Sequence, residues 1–346
     1  MQAPVQKRRR PILPIAMVVL VLLLAGGWSV VWFYASREAN SRFDIFLADE
    51  AARGRDWTCH DRFGGGFPFR VEIGCRAVQG NVADAGGRTY KVTAGRFLLL
   101  AQAYEIGKVI AELEGPLDLA SGDGDVLLHG DWKSLRASAH ARPRRIDQVD
   151  VAGSGIAGQA PGLAGFPGQS NDFAADSLEL HARIRERHGD TADIDLAASG
   201  DGLVFAPEGN SPPPFSVQAR ALARNAPLQR TADPVALFAG AGGALDIERL
   251  KLVQGNSMIH LRGSLALDSQ MRPEGDLELA AGGGDLRTPG AEGAFGGILP
   301  IMAMALRFAG KPTEIDGEPA SAANLAIHNG EVRLGPITLG NVPSLR

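Results

Sequence analysis

Residues 178–196 read LELHARIRERHGDTADIDL, and the fold turns on how this stretch is read. Leu178, Leu180, Ala182 and Ile184 alternate with Glu179, His181, Arg183 and Arg185. His188-Gly189-Asp190 then supplies a turn, after which Ala192, Ile194 and Leu196 alternate with Asp193, Asp195 and Ala197. A period of two sends successive side chains to opposite faces, so this is a β-hairpin with one apolar and one wet face.

Working outward toward the C-terminus, the same period returns at Leu245 and Ile247 and then, in shifted phase, at Leu250 and Leu252, a slip of the kind a β-bulge produces. It continues at Ile259, Leu261, Leu265 and Leu267, at Leu277 and Leu279, at Leu325 and Ile327, and at Val332 and Leu334 after an Asn329-Gly330 turn. Turn signals at short intervals with almost no long helical pattern between them predict an antiparallel meander. The predicted fold class is therefore mainly β: a curved antiparallel sheet, a groove or half-barrel, with few short helices. One face of such a sheet must be covered or must cover something.

Two stretches interrupt the rhythm. Gly153–Asn171 is rich in Gly, Ala and Pro, and Ala206–Pro214 contains Ser211-Pro212-Pro213-Pro214, so both read as loops. The first either divides the β-region into two lobes or is passed by a shared sheet. The exception to the strand pattern is Phe295–Phe308, apolar nearly all round and too short to cross a bilayer. It reads as a buried helix capping the sheet, or as a wall of an apolar groove to which Ile298, Met302 and Phe308 would contribute.

Toward the N-terminus the pattern changes character. Ile12–Tyr34 carries no charged side chain, enough as a helix to span the ~30 Å hydrocarbon core of a bilayer. Lys7, Arg8, Arg9 and Arg10 precede it, and Trp28, Trp32, Phe33 and Tyr34 gather at its far end. The positive-inside rule and the preference of amphipathic rings for the headgroup level predict a cytoplasmic tail (1–11) and a retained single-pass anchor (12–34) in an inner membrane. A cleaved signal peptide is the competing reading, and its apolar core would be shorter. Ala35, Ala39, Phe43, Phe46 and Leu47 recur at helical spacing, predicting a membrane-proximal helix (35–56) stopped at Gly54, followed by a periplasmic β-domain (57–346).

Composition bounds the partners. The whole chain carries a net charge of -4, and the segment before Arg37 holds four basic and no acidic side chains, leaving the exported part at -8. Such a domain gains nothing from DNA or anionic headgroups by long-range attraction, so no nucleic acid is expected and lipid contact should run through apolar surface. Cys59 and Cys75 both lie beyond the anchor and form no CxxC pair. A disulfide is the simplest reading, worth roughly 3 kcal/mol for so short a loop. No phosphate loop, HExxH or GxSxG pattern occurs, and the seven histidines are scattered, so neither a catalytic residue, a cofactor nor a metal site is expected.

Three segments carry a resemblance. Trp57-Thr58 leading into Gly65-Gly66-Phe67-Pro68-Phe69-Arg70-Val71-Glu72-Ile73, the run Ala244–Leu277, and Asn329–Gly340 together resemble the bacterial family known as domain of unknown function 2125. That resemblance implies an uncharacterised envelope protein with no catalytic residue to carry over. The second block is also similar to AsmA-type envelope proteins, whose curved sheets are thought to guide lipids. Read on its own chemistry, the Phe67-Pro68-Phe69 run puts two rings on one face at the head of a strand. They are expected to pack on the sheet core, with a place on an apolar groove as the alternative.

The expected function is the binding or shielding of acyl chains of a phospholipid or lipidated protein between membranes. The rival is a scaffold or assembly factor that docks a protein partner.

Overall fold

The structure is a computed structural model that describes residues 12–83, 87–102, 105, 107–142, 145–161, 171–207, 213–229, 233–282, 306 and 310–345. A single helix, α1 (Ile12–Ala51), opens the chain. The predicted anchor and the predicted membrane-proximal helix are thus one continuous rod. Its apolar half is long and hydrophobic enough to cross a membrane. Beyond Arg37 the helix is amphipathic and carries a Glu38–Arg42 pair at 2.7 Å, the favourable i,i+4 order. Gly54 ends the last turn with φ +77°, a conformation open to a residue without Cβ.

Twenty-one strands follow among the described residues. They are β1 (Arg55–His60), β2 (Phe63–Gly65), β3 (Arg70–Cys75), β4 (Ala77–Ala83), β5 (Thr89–Ala94), β6 (Phe97–Gln102) and β7 (Lys108–Leu113). Next come β8 (Leu117–Ser121), β9 (Val126–Asp131), β10 (Ser134–Arg142), β11 (Arg145–Gln159), β12 (Asn171–His188), β13 (Thr191–Pro207) and β14 (Phe215–Pro227). A short helix, α2 (Pro234–Gly240), is capped by the Asp233 side chain and precedes β15 (Ala244–Gln254), β16 (Ser257–Leu267) and β17 (Pro273–Gly282). The chain closes with β18 (Lys311–Ile315), β19 (Glu318–His328), β20 (Glu331–Leu334) and β21 (Ile337–Asn341).

All belong to one open antiparallel sheet. From β11 to β17 each strand pairs with the next, and β19 completes the run with β18 and β20 sharing its far edge. At the other end the sheet forks on β11. One ribbon runs β10-β7-β6-β3-β2, and the other runs β9-β8-β5-β4-β1. The Cys59–Cys75 disulfide joins β1 to β3 and so ties the two ribbons together.

The hairpin that decided the fold is β12–β13, turned at Gly189 with φ +68°. The Asn329-Gly330 turn has both residues at positive φ, as a two-residue hairpin that matches strand twist requires. One expectation changes: Gly153–Gln159 is not loop but the second half of β11, paired with β12 and, at its end, with β9. Its small residues are what a sheet needs there. A Cβ on Gly158 would lie 2.2 Å from the His129 backbone carbonyl, so only glycine allows β9 to approach that closely.

Candidate functional site

Register converts the alternation into a surface. Residues directly opposite one another share a face, and one row of such pairs runs Ile73, Leu99, Ala111, Ala137, Val151, Leu180, Ala198, Ala219, Leu250, Leu261, Leu279, Ala323. Every member is apolar. The neighbouring row runs Val71, Ala101, Val109, Ala139, Val149, Ala182, Leu196, Ala221, Ile247, Gly263, Leu277, Leu325 and on to Leu334, and contains no polar side chain either. With neighbouring strands about 4.8 Å apart, each row extends for roughly 50 Å along the sheet.

The phase slip between Ile247 and Leu250 has its explanation here. On β15 these residues are three apart, yet they oppose Gly263 and Leu261, which are two apart, so a bulge absorbs the extra residue. Without it Leu250 and Leu252 would point to the wet side and the rows would break.

Among the described residues, the two ends of the face are covered and side chains in its middle stand exposed. At the C-terminal end, buried Leu279, Leu306 and Leu334 form a cluster with Ile259, Leu261 and Leu325 against it, and Leu334 is 0% exposed. Leu306 belongs to the apolar 295–308 segment expected to cap the sheet, and its own burial fits that expectation. Ile298, Met302 and Phe308 lie outside the described residues. In the middle, Val149 is 37% and Leu180 is 53% exposed.

At the N-terminal end α1 leans over the face. Phe43 stacks on Phe97 with ring centroids 6.5 Å apart, and Arg62 lies 4.9 Å over the Phe43 ring. Between helix and sheet remains an apolar cleft of about 440 Å³. Ala39, Phe43 and Phe46 line it from the helix, Val71, Ile73, Leu99 and Val109 from the strands, with Arg42 at its rim. The junction below is clamped by Glu50, which is nearly buried and takes hydrogen bonds from Arg55 at 2.5 and 2.7 Å and from Arg53 at 3.1 Å. The Arg55 bond, working against burial and helped by Arg53, holds its carboxyl at about 2.

Phe67 and Phe69 do not pack on the sheet core and do not line the cleft. They sit in the turn before β3, 53% and 67% exposed. The reason is α1: the Trp28 indole donates to the Pro68 carbonyl and the Trp32 indole to the Arg70 carbonyl, each at 2.8 Å, and Trp32 meets Phe67 edge-on at 5.3 Å. The turn is held against the helix. Both halves of this contact were conspicuous in sequence, as an aromatic group and a GFPFR run, but nothing in one dimension joins them.

The opposite face is wet and paired. His181 Nδ1 lies 2.8 Å from Asp150 Oδ1, and Gln148 donates to the same carboxylate at 2.9 and 3.0 Å. The Asp150 bond is the main cause raising the His181 pKa. Burial pushes Asp150 upward, yet the bonds from His181 and Gln148 outweigh it and leave that carboxyl below its ordinary value. Near the covered end, burial and the flanking Arg249 and Arg262 depress His260. Among the described residues no three His, Cys, Asp or Glu side chains converge as metal ligands would.

With this geometry in hand, a family described as an uncharacterized protein conserved in bacteria (DUF2125) matches residues 32–343. The chain belongs to this family. The match starts inside the aromatic end of α1 and takes in every described strand. No curated protein and no solved structure matches the chain. The likeness to AsmA-type proteins has no match behind it, and the reading of the apolar face stands on the register alone.

Proposed function

We propose that the chain is a single-pass inner-membrane protein whose periplasmic sheet binds lipid acyl chains along its open apolar face, as a carrier or shield and not as a catalyst. The observation that carries this is the pair of unbroken apolar rows on twelve successive strands, closed over at both ends and open at Val149 and Leu180. A monomer with a sheet face of that extent needs something to cover it. Several hundred Å² of acyl chain buried at ~25 cal/mol per Å² supplies several kcal/mol before the costs of binding. Half a bilayer's hydrocarbon is ~15 Å thick, so rows of roughly 50 Å have ample length for one chain. Orientation follows from Lys7–Arg10 before the apolar helix and the acidic balance after it.

Lipid mass spectrometry of the gently extracted full chain is the test. Phospholipid at stoichiometric level in the wild type, and its loss in Leu180→Asp, are expected. A lipid-free wild type that carries a reproducible protein partner would put the scaffold reading in its place.

A further inference from the structure

We infer that the turn Gly66–Arg70 is a wedge inserted in the membrane leaflet beside α1, so that the sheet meets the bilayer at two points and not only through its helix. This rests on the reading of α1 as a membrane span. Trp28 stands nine residues before Arg37, the first charge after the apolar stretch, so at about 1.5 Å per residue its indole lies roughly 13 Å below the level of that charge. The carbonyl that accepts from it, Pro68, shares that depth, which places Phe67 and Phe69 among lipid and not in water.

The turn is chemically suited to that position. A backbone in hydrocarbon must find partners for its polar groups within the protein. The Gly66 carbonyl accepts from the amides of Phe69 at 3.2 Å and Arg70 at 2.9 Å, and the Pro68 and Arg70 carbonyls accept from the two indoles. Pro68 has no N–H to satisfy. Two large rings standing mostly exposed on a turn three of whose carbonyls, those of Gly66, Pro68 and Arg70, already have donors make poor contact with water and good contact with acyl chains. Arg70 is ion-paired with Glu72 at 2.5 Å where the strand leaves the turn, and it can reach the headgroups as long basic side chains do. Val71, the next residue, begins the apolar row at the cleft. The wedge therefore seats the helix-covered end of the apolar face at the membrane surface.

The test uses the full chain in phosphatidylcholine vesicles, with a single added cysteine carrying the environment-sensitive NBD dye. The dye is placed at Phe69→Cys, at Leu22→Cys on α1, or at Glu179→Cys on the wet face, and vesicles carry doxyl-labelled acyl chains. Phe69 is the more exposed of the two rings, so its replacement leaves packing intact. The proposal expects emission from position 69 to be shifted to the blue and quenched by doxyl lipid, as at position 22, while position 179 behaves as in water. Quenching at 22 with a water-like signal at 69 overturns the wedge and leaves the anchor standing. A water-like signal at both overturns the anchor, and the wedge with it.

Discussion

Leu279 and Leu180 occupy the same apolar row, on strands five places apart, and differ in one respect: Leu279 is 2% exposed and Leu180 is 53% exposed. Composition does not separate them, nor does the sheet, since each has apolar partners on both sides. What separates them is a cover. Leu306 and its cluster lie over the C-terminal end and Phe43 with Phe46 over the N-terminal end, whereas among the described residues Val149 and Leu180 on the strands between present the same chemistry exposed. Alternation builds a face, and whether that face becomes a core or a binding surface is decided by what is laid on it.

The largest effect expected follows from the covered end. Leu334→Ala should cost about 2–5 kcal/mol through lost transfer energy and the cavity left behind, read as a fall in Tm, while Leu180→Ala should change stability by no more than about 0.5 kcal/mol. If the two cost the same, the middle is an ordinary core and the comparison fails. Next in size is the N-terminal end, where replacing Cys59 and Cys75 together by Ala should cost roughly 3 kcal/mol by freeing the loop between β1 and β3. Denaturant unfolding of the double variant against wild type measures it.

Much of this was legible in the residues, and the boundary of legibility is instructive. The β12–β13 hairpin, the Gly54 stop of α1, the Asn329-Gly330 turn and the bulge after Ile247 each have a local cause, a period or a turn residue, and local causes are written in sequence. The second half of β11 is hidden from a sequence reading because Gly and Ala, which favour loops, are also what a close strand approach at Gly158 demands. Phe67 and Phe69 escape a sequence reading for a different reason. Their environment is set by Trp28 and Trp32, some forty residues earlier, and no spacing rule links a turn to a helix that far away. The apolar side chains of the face could be recognised one strand at a time, but which end of it is closed over is a tertiary fact.

Smaller effects sharpen the picture at the ribbon end. Glu50 has its folded pKa depressed to about 2, so its contribution is full above the unfolded value and fades as pH falls toward 2. Glu50→Gln should therefore lower Tm near neutrality and erase part of the acid sensitivity, as a pH series of melting curves would record. The smallest shift is expected from the wet face. His181 has a raised pKa, so its stabilisation is complete below about pH 6.5 and lost as pH rises through the folded value. Asp150, depressed, loses its share only as pH falls through its own low value. The stability difference between wild type and His181→Gln, read from melting curves, should be widest near pH 5 and shrink by pH 9, staying below about 1 kcal/mol because the pair is partly exposed.

The central claim is that the open middle of the apolar face holds acyl chains, and site-specific photocrosslinking in cells addresses it most directly. With a photoreactive phenylalanine at position 180, and at adjacent position 181 on the wet face, the account predicts that peptides carrying residue 180 gain the mass of a phospholipid and those carrying residue 181 do not. Lipid on neither, or equally on both, would contradict it.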